Sequence, residues 1–177
     1  MRRLVNLLVA IFAAATIQTP AAAPAGLLAS QPETLRGLPG LRVVIEGLQP
    51  DIVKDGLNQK SIRRAVLAEL ERAHIPVLKP TQAHQFKPAP PLLYIAISSV
   101  RSAVQPVYAA SVDVAVTQPA KLDYQPGATV LDAVTWRQRA VEIVGAAQVK
   151  TLTQLVTMLV AKLAADWGRA HASQPAG

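Results

Sequence analysis

The sequence predicts an α+β domain: a largely antiparallel sheet of four to five strands with two helices packed on one face, in the order β-α-β-β-β-β-α. Two segments, one early and one at the end of the domain, carry apolar residues at helical spacing (Ile62, Val66, Leu70 and Ala73; then Leu152, Leu155, Val156, Leu159, Leu163 and Trp167). Between them, three successive segments alternate apolar and polar residues over strand lengths. Short turns join those three, whereas parallel neighbours need long crossovers, so they pair antiparallel. A sheet fed by only two amphipathic helices buries one face beneath them and leaves the other open.

The chain has 177 residues, of which 51% are hydrophobic and 16% charged, a composition able to fill a core and unlike that of a disordered chain. It opens on Met1-Arg2-Arg3, followed by the apolar run Leu4 to Ile17 and the small-residue tract Ala21 to Gly26. An apolar run of about 14 residues is short of the roughly 20 that span a bilayer and suits the core of a secretory signal. Residues 1–25 are therefore read as a cleavable signal peptide cut after Ala25, with Ala21 as the second choice and an uncleaved anchor as the alternative. The absence of Cys excludes a lipid-modified cysteine, disulfides, thiol catalysis and cysteine-based metal centres. Residues 26–40 read as a flexible leader, 41–170 as one α+β domain and 171–177 as a disordered tail.

Within the domain, Leu41 to Glu46 alternates as a strand, and Gly47 to Gly56 is a loop. Asn58 caps a helix over Gln59 to Ala73, which His74-Ile75-Pro76 ends because proline lacks the amide donor. Val77-Leu78 is a short strand, and Lys79 to Pro91, with four prolines, an exposed loop. Leu93, Ile95 and Ile97 point inward from the next strand, and Val112, Val114 and Val116 from the one after. The strand Thr129 to Val144 places Val130, Val134 and Trp136 on one parity and Val141 and Ile143 on the other, which predicts a bulge near Arg137 to Ala140. The last helix runs from about Val149 to Ala170, ended by Gly168 and the polar tail. The open face of the sheet then carries Arg42, Val44, Glu46, Tyr94, Ser98, Ser111, Asp113 and Thr117.

The stretch Leu38-Pro39-Gly40-Leu41-Arg42-Val43-Val44-Ile45-Glu46-Gly47-Leu48 resembles that of a family of small exported bacterial proteins of unassigned role. The resemblance continues through Arg72-Ala73-His74-Ile75, Leu93-Tyr94-Ile95-Ala96-Ile97 and Tyr108 to Leu122. In topology the layout is also similar to the amino-terminal domain of the translocation protein TolB and to envelope assembly lipoproteins with two helices on one sheet. That likeness implies a periplasmic adaptor without catalysis; it transfers no individual residue.

The side-chain inventory speaks against most chemistries. The three histidines, His74, His84 and His171, have no metal-ligand spacing, and His74 reads as a helix-terminal cation or hydrogen-bond donor. Ser98, Ser99, Ser102 and Ser111 lack an adjacent base and a nucleophile elbow, and no glycine-rich phosphate loop occurs. Asp113, with Asp132 or Glu142 from the neighbouring strand, is the one carboxylate set able to converge, though Arg137 and Arg139 nearby make ordinary cross-strand ion pairs the simpler reading.

The formal net charge is +7, and without Arg2 and Arg3 the remaining 16 basic residues still exceed the 11 acidic ones. Basic candidates for an anion or partner site are Lys60, Arg63 and Arg64 on the first helix, and Arg137 with Arg139, which share a strand face and can grip a carboxylate or phosphate together. An exported protein meets lipid headgroups and acidic envelope polymers, not nucleic acid, and 4% aromatic residues leave few stacking platforms for bases. The expectation is an exported binding or adaptor protein of the bacterial envelope, periplasmic or secreted, with no catalytic, metal or cofactor site. Its partner is an envelope protein or an anionic envelope component, met at the open sheet face, an exposed strand edge or the loop 79–91. The alternatives are a small hydrolase or transferase using Asp113, Asp132 and Glu142, and a binder of anionic lipid surfaces.

Overall fold

The computed structural model describes residues 31–172; the expected signal peptide, residues 26–30 of the leader and residues 173–177 of the tail lie outside them. The strands are β1 (Arg42–Ile45), β2 (Leu92–Arg101), β3 (Val107–Lys121) and β4 (Thr129–Gly145). The helices are α1 (Pro50–Lys54), α2 (Gln59–Arg72) and α3 (Thr151–Ala172). One sheet forms in the order β1-β2-β3-β4. β2, β3 and β4 pair antiparallel, whereas β1 runs parallel to β2, so the α+β sheet is mixed. The long connection through α1 and α2 supplies the crossover that a parallel pair requires. The expected fifth strand is a single bridge, Leu41 with Val77. α1, within the expected loop, starts on Pro50, whose fixed φ suits a first helical position.

Both long helices lie on the same face. Ile62, Val66 and Leu70 of α2, and Leu152, Val156, Leu159, Val160, Leu163 and Trp167 of α3, join one core with Ile95, Ile97, Val112, Val114 and Trp136 of the sheet. The Asn58 side chain accepts from the amides of Lys60 and Ser61, so the expected cap is present. At the other end of α2, His74 adopts φ 55°. Its N–H bonds to the Glu71 carbonyl while that of Ile75 reaches Leu70, a left-handed closure more often made by glycine.

Four expectations need correction. The leader is not loose over its second part: Gln31 onward belongs to the domain, because Leu35, in the 3-10 turn Glu33–Leu35, is fully buried. α3 passes through Gly168, where the helical interior tolerates glycine, and ends at Ala172, taking His171 out of the tail. The proline-rich loop contains the 3-10 helix Pro80–Gln85. Finally, β4 is regular from Trp136 to Gly145, and its irregularities lie earlier. Val116 faces Trp136 but Thr117 faces Val134, which leaves Thr135 as an extra residue; a second shift falls between Gln118 and Ala120. Pro119 sits inside that second shift, past Thr117, where β3 has no further pairing with β2 that a missing amide could interrupt. The Thr135 bulge sends Val134 and Trp136 to opposite faces, and leaves Val141 and Ile143 on the outer one.

Candidate functional site: the outer face of the sheet

Alternation along four strands builds this face. From one end to the other, the rows are Leu92, Thr117 and Val134; Tyr94, Ala115 and Arg137; Ala96, Asp113 and Arg139; Ser98, Ser111 and Val141; Val100, Ala109 and Ile143. β1 adds Arg42 beside Leu92 and Val44 beside Tyr94. The eight residues expected on the open face belong to β1, β2 and β3 or, for Glu46, follow β1 directly, and the structure adds the side chains of β4. Its signal was available, since Val141 and Ile143 share sequence parity with Arg137 and Arg139.

The face has two different ends. Toward β1 lies a trough of about 450 Å³, floored by Val44, Leu92, Ala115 and Val134 and edged by Arg42, Tyr94, Asp113, Asp132 and Arg137. The Tyr94 hydroxyl donates to Glu46 Oε2 at 2.9 Å, and this bond, with burial, raises the phenol above its ordinary pKa. At the opposite end Val100, Val141 and Ile143 are 74%, 73% and 76% exposed, a group of aliphatic side chains with no layer of the described residues above them.

Asp113 divides the two ends. Its Oδ2 takes the Arg139 guanidinium at 2.6 Å and that of Arg137 at 3.1 Å, so the arginine pair is brought together as expected and grips a carboxylate of its own chain. The other oxygen, Oδ1, is buried without a hydrogen-bond partner. Glu142 stands opposite Ala110, whose buried side chain marks the inner face. Asp113 and Glu142 therefore project from opposite faces of the sheet, and the three-acid constellation does not form. Asp132 shares the trough with Asp113.

The first-helix basic group is spread over exposed positions: Lys60, Arg63 and Arg64 are all solvent-facing. Arg63 lines a groove beside β1 with Leu67, Val77 and Lys79, and Lys60 borders a different one near Gly47 and Val53. The histidines are dispersed. His84 lies in the 3-10 helix and His171 stacks on the Trp167 ring at 4.4 Å. Among the described residues no group of three or more His, Asp and Glu side chains could hold a metal ion, and no helix is long and apolar enough to cross a membrane.

A second polar cluster pins the sheet to α1. The buried Tyr108 hydroxyl donates to Asp55 Oδ2 at 2.7 Å, and Arg101 lies 3.6 Å from that same oxygen. The hydrogen bond to Asp55 and then burial hold the Tyr108 phenol above its usual range. Across the core, Trp136 Nε1 donates to Asp166 Oδ2 at 2.8 Å, tying β4 to α3.

No family model matches the chain, and no curated protein matches it in sequence. Among solved structures it is similar to the PelC dodecamer from Paraburkholderia phytofirmans. One structure, of a point variant, shows 14% identity and covers 72% of this chain and 89% of that one, with a TM-score of 0.38. A second shows 16% identity, 72% and 87% coverage and a TM-score of 0.37.

Proposed function

We propose that the chain is an exported binding or adaptor module of the bacterial envelope, working without catalysis, whose partner lies on the outer face of the sheet. The observation that carries this reading is the uncovered aliphatic end of that face, with Val100, Val141 and Ile143 each more than 70% exposed, beside a trough with an apolar floor and charged edges. A contiguous exposed apolar patch rimmed by polar groups marks an interaction surface more often than a random one. The Asp113–Arg137–Arg139 cluster supports binding over acid–base chemistry, because the carboxylate is already occupied by two guanidinium groups and its expected acidic counterpart Glu142 faces the other way. Export rests on the basic start and short apolar run of residues 1–17.

Photocross-linking in intact cells tests it. A cross-linking residue at Val100 is expected to capture one envelope component in stoichiometric amount, while the same residue at the exposed Lys162 of α3 captures none. Equal labelling from both positions, or turnover of a substrate that Asp113→Asn abolishes, would overturn the reading. Co-sedimentation with anionic liposomes that collapses in salt would assign the face to a lipid surface instead.

A further inference from the structure

We infer that β4 pairs with β4 of a second copy of this chain, antiparallel about a two-fold axis at Val141, to give one continuous eight-stranded sheet. β4 is the edge strand. The Arg137 amide donates outward to Gln31 Oε1 at 3.2 Å, and the Thr135 carbonyl accepts the Thr34 hydroxyl at 3.0 Å. On an antiparallel edge, alternate residues turn both backbone groups away from the sheet. With Arg137 pointing outward, Arg139, Val141 and Ile143 also present their N–H and C=O groups to that edge. Of the usual guards, bulges and prolines are missing over this half, and Glu142 is the exposed acidic charge that remains. The bulges lie between Val130 and Trp136, no proline interrupts Trp136–Gly145, and Asp113 draws the Arg139 guanidinium across the sheet.

Both sides of the open edge offer apolar landing positions. Val141 and Ile143 stand on the outer side. On the inner side a groove beside Glu142 is lined by Leu155 and Met158 of α3, and Met158 is 50% exposed. An added strand places its side chains alternately against these two surfaces.

The charge pattern selects a second copy and its register. With the axis at Val141, Val141 faces Val141 of the second copy and Arg139 faces its Ile143, each pair exchanging two backbone hydrogen bonds. Glu142 then faces Ala140 of the other copy, and no like charges stand directly opposite. Moving the axis to residue 142 sets Glu142 against itself, which is destabilising. Moving it to residue 140 sets Arg137, whose amide Gln31 already holds, opposite Ile143 well inside the ladder, whereas the axis at Val141 leaves it opposite Gly145, the last residue of β4. Isologous pairing consumes both open edges, so assembly closes at the dimer. It also places the two Val100–Val141–Ile143 groups on the same side, adjacent at the axis, as one doubled apolar surface.

The cysteine-free chain makes the test clean. Mild oxidation of the full chain carrying Val141→Cys is expected to give a disulfide-linked dimer, since hydrogen-bonded partners lie about 5.5 Å apart between Cα atoms. Val53→Cys, on α1 and 47% exposed, is expected to stay monomeric. In sedimentation equilibrium the unmodified chain is expected to be a dimer. Val141→Lys, which opposes two lysines at the axis, is expected to raise the dissociation constant by about tenfold or more. Circular dichroism melting of Val141→Lys at low concentration shows that the fold is retained. A chain monomeric at every concentration, a dimer indifferent to Val141→Lys, or open-ended polymers would each overturn the inference.

Discussion

The two edges of the sheet are treated in opposite ways. At β1 the Leu41 amide donates to Pro76 and its carbonyl accepts from Leu78, both at 2.9 Å, and Gln59 Nε2 donates to the Ile45 carbonyl at 2.9 Å. Val43 alone sits between these closures. At β4, a strand of 17 residues, the closure made by the described residues stops at Thr135 and Arg137, where Thr34 and Gln31 reach it. Chain path explains the difference. The return from α2 passes alongside β1 before the chain enters β2, so closing segments arrive there as part of the crossover. Among the described residues β4 draws on the short segment before β1, and that segment covers one end.

The largest effect is expected where this segment anchors. Leu35 is fully buried against the core, and Leu35→Ala is expected to cost about 2–5 kcal/mol in denaturant unfolding. It would also speed hydrogen exchange at the Arg137 amide by loosening Gln31. A loss below about 1 kcal/mol would mean that the segment merely rests on the sheet and that β4 is open along its whole length. Next in size is Gly40→Ala. A β-carbon there would lie 2.6 Å from the Pro76 carbonyl oxygen, at a φ of +149°, so the closed β1 edge would have to shift. The expected cost is about 1–3 kcal/mol. An alanine variant of unchanged stability would show that the β1 closure does not depend on this close approach.

Elements that depend on local pattern were legible in the sequence. The α2 and α3 stripes, the Asn58 cap and the three long strands needed only period and turn chemistry. The parallel placing of β1 was not, because a single alternating segment carries no information on direction. The β4 bulges were misplaced for a physical reason. In sequence Val141 and Ile143 stand on the opposite parity to Val130, Val134 and Trp136, and a single aliphatic face for all five calls for a bulge near Arg137 to Ala140. β3 continues through Pro119 to Lys121, and the register shifts fall beside that end. The arginine pair was legible as a unit, since Arg137 and Arg139 share a face in any register. Its occupation by Asp113 followed once the strands were paired. The outer aliphatic end was hidden by the same assumption that misplaced the bulge.

Asp113 connects the two halves of the comparison, since it holds Arg139 away from the open edge. Asp113→Asn is expected to lower stability by about 1 kcal/mol or less, because both guanidinium groups are half exposed and solvent screens the pairs. Its clearer consequence is positional: a released Arg139 adds a mobile cation beside Ile143 and weakens β4 pairing. Sedimentation at low and high salt checks this, and a dimer strengthened by the substitution would contradict it.

The smallest expected effect is the most discriminating. Ile143→Thr keeps a β-branched residue in the strand and removes apolar surface from a position that is 76% exposed. Measured by denaturant unfolding below the concentration at which two copies associate, the change should stay within about 0.5 kcal/mol, as for a surface site making no special contact. Under dimeric conditions the same substitution should cost more, because Ile143 then lies opposite Arg139 of the second copy at the pairing edge. A large loss at low concentration would require another part of the same chain to cover Ile143. In that case the edge at β4, like the one at β1, would be closed from within.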